Sequence, residues 1–125
     1  LSNHTQYSPT DPDAKISTKP GKPRQLNYAG QVAVDHAHHV ITGACASTAG
    51  SKDSAIFSEI MNQTLANLGA NAIQLEEVIA DAGYSSGESL QYCEGHDIDA
   101  WIPNFGQYKP ERRGFVYNEE EDRYE

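Results

Sequence analysis

The chain has 125 residues, 38% of them hydrophobic, and a formal net charge of −9 at pH 7. That is enough for one domain or part of one; no apolar run reaches membrane-spanning length, and no apolar core follows a basic start as in a signal peptide, so a cytoplasmic protein is expected. So acidic a surface repels nucleic-acid phosphates, whose non-specific affinity comes largely from Lys and Arg; if this chain belongs to a DNA-handling protein, most of the grip lies outside it.

Residues 1–26 show little hydrophobic periodicity. Ser8-Pro9-Thr10-Asp11-Pro12-Asp13 stacks turn formers, and Lys19-Pro20-Gly21-Lys22-Pro23 repeats the pattern with charge. Proline fixes φ and removes a donor, so an extended arm is expected rather than a helix. From Leu26 the pattern becomes period two, with Tyr28, Gly30, Val32 and Val34 alternating with Ala29, Gln31 and Ala33. A second apolar run, His39 to Ala46, follows a short polar link, which predicts an antiparallel hairpin. His36, His38 and His39 fall at its tip, where exposed turn histidines are the simpler reading than a metal cluster. Asp35, beside them, reads as a turn residue. Cys45 and Cys93 belong to no paired motif and read as free thiols.

Ile56, Phe57, Ile60, Met61, Leu65 and Leu68 recur at helical spacing, and Gly69 supplies a stop. Ser86 to Cys93 reads as a second, shorter helix with Ser85 or Ser86 as its N-cap, ended by Gly95. Ile98 to Pro103 reads as a last strand. From Asn104 the composition drifts to loop, and residues 114–124 have the look of a further hairpin. Glu119-Glu120-Glu121-Asp122 reads as a solvated acidic run.

Between the two helices lies Val78-Ile79-Ala80, a short apolar run of the kind expected in a strand buried on both faces. It ends in Asp81-Ala82-Gly83-Tyr84-Ser85-Ser86. In open α/β sheets ligands and catalytic groups gather at the carboxyl ends of strands. An aspartate there is held by the sheet yet faces solvent, which suits a divalent-metal ligand. It also suits a residue that merely caps the following turn, and the sequence leaves both roles open. Residues 27–103 thus run strand, strand, helix, strand, helix, strand: an α/β class with a mixed sheet.

That order resembles the middle of an RNase H-like domain. In sequence, Ser8 to Ala14 with Lys19-Pro20-Gly21-Lys22, Leu26-Asn27-Tyr28 through Asp35, His38 to Thr42, Ala80 to Ser86 and Ile98 to Asn104 resemble, in order, the bacterial insertion-sequence transposases of the IS1182 group, whose catalytic domain is of the DDE, IS4-like kind. The resemblance implies a partial RNase H-like core at 27–104, an extended Pro-rich arm at 1–26 and the start of an insertion segment or tail at 105–125. It implies that Asp81 is the second acid of an Asp-Asp-Glu triad and a metal ligand. The other two acids are then expected outside this chain, one upstream of Leu1 and one beyond the insertion. Mg²⁺ (or Mn²⁺) is the expected cofactor of the full-length enzyme, which would cut and join DNA, associate with the nucleoid and act as a homo-oligomer. The fragment alone is expected to be inactive, and the hairpin at 28–45 is expected to pair with an upstream strand it lacks. The alternatives from other classes are a non-catalytic α/β interaction module, such as a remnant of a transposable element, and a signalling domain with Asp81 as phosphoacceptor. The early hairpin and the missing acidic pair and lysine suit the signalling domain poorly.

Overall fold

The computed structural model describes residues 3–17, 21 and 23–104, and the backbone alone at 117–118 and 123–124. The longest pairing is an antiparallel hairpin of β2 (Leu26–Val34) and β3 (Ile41–Thr48), with Tyr28 opposite Thr48, Gln31 opposite Cys45 and an irregularity between Ala33 and Val34. Its tip is closed at Asp35: Asp35 N–H donates to Val40 O, His39 N–H donates to Asp35 O, and the Asp35 carboxylate accepts from His38 N–H at 2.7 Å. A short β1 (Lys15–Ile16) joins the other edge of β2 at Leu26 and Asn27. The arm is therefore tied down at that point, with Ile16 only 1% exposed.

A short 3-10 turn, Asp53–Ala55, leads into α1 (Phe57–Gly69), whose apolar stripe faces the inner side of the hairpin. Ala33, Gly43 and Cys45 on the inner face are small, which lets the helix approach closely. A Cβ on Gly43 would sit 2.6 Å from Thr64 Oγ1 and 3.2 Å from Ile60 O. At this separation α1 can hydrogen-bond to β3 directly, Gln63 accepting from Ala44 N–H and Asn67 donating to Thr42 O.

β4 (Glu77–Ile79), α2 (Gly87–Gly95) and β5 (Asp99–Trp101) form a strand–helix–strand unit with β4 and β5 parallel, Val78 opposite Ala100. Ser86 is the N-cap of α2, its hydroxyl accepting from Ser89 N–H at 3.0 Å. Phe57, Ile60, Met61, Cys93 and Ile98 make the core. Phe57 sets its ring edge-on to Tyr92, whose hydroxyl donates to Asn62 on α1 at 2.6 Å. Both cysteines are free, and Cys93 is buried. Tyr117–Asn118 and Arg123–Tyr124 pair antiparallel as β6 and β7; the rest of the 105–125 segment lies outside the described residues.

Two expectations are corrected. The strand at 77–79 is not buried on both faces: Val78 packs on the core, whereas Ile79 is 72% exposed. With helices on one side only, a parallel strand keeps an apolar look without double burial. Nor, among the described residues, is there one mixed sheet. The antiparallel and parallel strands form separate sheets, and a cavity of about 280 Å³ lies between β2 and β4, lined by Val32, Val34, Met61, Leu68, Glu77 and Ile79 among others.

Candidate functional site

Asp81 follows β4 after a single residue and is exposed, as the sequence reading places it. It caps a second 3-10 turn, Ala82–Tyr84, its Oδ1 accepting from Gly83 N–H at 2.7 Å. Of the two roles left open by the sequence, the cap is the one seen here: it fixes one carboxylate oxygen and leaves the group exposed to solvent. A fixed, solvated carboxylate at a strand end is a better ligand than a free one, because less side-chain entropy is lost on binding.

A residue that sequence reasoning passed over stands next to it. Asp53 opens the turn before α1, and its Oδ2 lies 2.8 Å from where a Cβ on Gly83 would be; Asp81 Oδ1 lies at the same distance from that point. The missing side chain of Gly83 thus leaves a cradle that one oxygen of each carboxylate approaches. Asp53 is held by Gln31, which is only 6% exposed and donates from Nε2 to Asp53 Oδ1 at 3.3 Å. The other end of the Gln31 amide accepts from the Cys45 thiol at 4.0 Å. That buried amide spans the inner face of the hairpin and orients Asp53.

The phenol of Tyr84 flanks the pair; burial first, then the charges of Asp53 and Asp81, push its pKa above the ordinary tyrosine value. Its ring packs on Phe57 with centroids 6.1 Å apart, so the cradle is built directly on the core. Burial likewise raises the Cys45 thiol, with a further contribution from Glu59, so Cys45 stays protonated and able to donate to Gln31. In sequence Asp53 looked like an ordinary residue leading into a helix. No local signal marked it: the alternation sets Gln31 against Tyr28, Val32 and Val34, and its burial appears only in the fold.

The other acid considered, Asp35, stays at the hairpin tip, 3.5 Å from His38 Nδ1, with His38 largely exposed. Its carboxyl is held below the ordinary aspartate value, chiefly by the His38 N–H. Among the described residues no three His, Cys, Asp or Glu side chains converge as a ready metal cluster, and no helix is long and apolar enough to cross a membrane.

These features define an α/β domain that presents an acidic site at the carboxyl end of a parallel strand. The sequence model of the transposase DDE domain matches residues 4–125, and the chain belongs to that family. No curated protein and no solved structure matches it. The family implies DNA as substrate and the use of divalent metal ions. The Asp81 site fits such an ion in two respects. Its donors are hard carboxylate oxygens, and the bare Cα of Gly83 lets Asp53 Oδ2 and Asp81 Oδ1 both come within 2.8 Å of where a Cβ would stand.

Proposed function

We propose that this chain is a segment of the catalytic core of an insertion-sequence transposase of the IS1182 group, and that Asp81 is one of its catalytic, metal-holding carboxylates. The observation that carries this reading is the match to the DDE domain over 4–125 together with an exposed, capped aspartate at the end of β4. Mg²⁺ (or Mn²⁺) is the ion the site suits, since a hard cation that keeps several waters needs only a few carboxylates. When bound, such an ion stabilises charge on the phosphoryl oxygens and generates the attacking oxygen nucleophile. The chain itself fixes the carboxylate: Gly83 N–H binds Asp81 Oδ1, and β4 sets where the group stands.

The two further acids of the triad belong to segments flanking this chain. An upstream strand has a place to go, the apolar cavity between β2 and β4, where both sheets turn an edge that no described strand pairs over 28–34 and 77–79. Filling it would join the two sheets into one mixed RNase H-like sheet. DNA contact is made mostly by the flanking segments, given the charge of −9 on this one, and the active form is a homo-oligomer in the bacterial cytoplasm, associated with the nucleoid. The reading is tested with Asp81→Asn in the full-length transposase. Loss of strand cleavage with DNA binding retained in a gel shift is expected; loss of DNA binding in step with cleavage would assign Asp81 to the fold or to DNA contact instead.

A further inference from the structure

The Asp53 carboxylate has no part in the Asp-Asp-Glu triad, yet its Oδ2 and Asp81 Oδ1 lie equally close, at 2.8 Å, to the position of a Cβ on Gly83. Three features of the structure bear on it. First, the two side chains come from separate elements, the turn before α1 and the end of β4, and close on the same point above Gly83. Second, one oxygen of each carboxylate is already committed: Asp53 Oδ1 to Gln31 and Asp81 Oδ1 to Gly83 N–H. Asp53 Oδ2 is thereby turned into the cradle. Third, among the described residues neither carboxylate forms an ion pair with a cationic side chain. Two carboxylates brought together without a cation repel, and a shared proton or a bound cation relieves the repulsion. Hard carboxylate oxygens, those of Asp81 exposed and those of Asp53 half-buried, favour the cation.

We propose that Asp53 is a second carboxylate ligand of the divalent ion at Asp81, with Gln31 positioning it and Gly83 keeping the space between the two carboxylates clear. This rests on the reading of Asp81 as a metal-holding residue and adds to it a ligand outside the triad. Gln31 acts through Asp53: its buried amide fixes the direction of the carboxylate and does not touch the ion. Gly83 matters for the side chain it lacks, because a Cβ there would stand 2.8 Å from both Asp53 Oδ2 and Asp81 Oδ1 and force the carboxylates to shift.

The test is ion binding by the full-length transposase, read without catalysis. Tb³⁺ serves as an oxygen-preferring probe whose luminescence is excited through Tyr84, and Mn²⁺ is added as competitor. Subtracting the signal of Tyr84→Phe isolates this site from ion binding at the acidic run of residues 119–122. Asp53→Asn keeps the shape of the side chain and an acceptor for Gln31, and circular dichroism checks that each variant is folded. Asp53→Asn and Asp81→Asn are each expected to weaken Mn²⁺ competition at least tenfold. Gly83→Ala should do the same, and Gln31→Leu should weaken it less. An Asp53→Asn variant within twofold of wild type, with Asp81→Asn strongly impaired, would overturn the role of Asp53 and leave that of Asp81 standing. Unchanged affinity in Asp81→Asn would instead remove the reading on which the inference rests. No Tyr84-dependent signal from the wild-type transposase would contradict the two-carboxylate site itself.

Discussion

Tyr28 donates to Asp11 Oδ1 at 2.7 Å, across the gap between the arm and the hairpin. That hydrogen bond, reinforced by desolvation and by the charges of Asp11 and Asp13, pushes the phenol up to about 12. A raised pKa means the folded state holds the proton more tightly than the unfolded one. The stabilisation is therefore fully present below the unfolded value near 10 and is lost as pH rises through about 12. A ring-resolved NMR titration should find Tyr28 among the last tyrosines to ionise, and Asp11→Asn should bring it back toward the ordinary range. Asp35 runs the opposite way. Its lowered pKa stabilises the hairpin tip above the ordinary aspartate value, and that contribution is lost as pH falls through the lowered one. At this scale the exposed place of Asp81 behind β4 was readable from sequence because a strand-ending acid is a local pattern. Asp53 and Gln31 were not, since nothing local says that a turn before one helix meets the turn after another strand.

Among the elements, α1 is the one on which the rest depends, and its contact with β3 carries an internal conflict. Thr64 is 3% exposed and its Oγ1 has no hydrogen-bond partner among the described residues, although it points at the bare Cα of Gly43. An unsatisfied buried hydroxyl costs about 1–3 kcal/mol, so Thr64→Val should raise stability by roughly 1 kcal/mol in chemical denaturation. Gly43→Ala should lower it by about 1–3 kcal/mol, because the added methyl overlaps Thr64 and crowds a helix carbonyl that cannot move freely. Ser86→Ala should cost about 1 kcal/mol by removing the N-cap of α2. The helices and the antiparallel hairpin were legible because helical spacing, cap residues and period-two alternation are written in consecutive residues. The burial of β4 was not. Whether an apolar strand is covered on one face or two depends on neighbours that its own sequence does not name, and Ile79 ended on the open side.

For the whole molecule, the described residues leave an apolar slot between two sheet edges and a set of exposed large apolar side chains, Val32, Ile41, Ile79 and Trp101 among them, each at least 60% exposed. Unpaired edges template further strand pairing, so the isolated chain is expected to self-associate in sedimentation velocity. Joining it to a strand that fills the slot should shift it toward a monomer with a sharper thermal transition. A monomeric isolated chain with a cooperative melt would mean the slot needs no occupant. The role of Asp81 is read most directly from the rate of Mg²⁺-dependent nicking of a labelled duplex carrying the element's own end, measured with the full-length transposase. Removing one group that stabilises developing charge typically costs 10²–10³ in rate, so Asp81→Asn should lose at least about a hundredfold, while Asp35→Asn at the hairpin tip should remain close to wild type. Wild-type nicking by Asp81→Asn, or a loss confined to Asp35→Asn, would place the catalytic acid elsewhere.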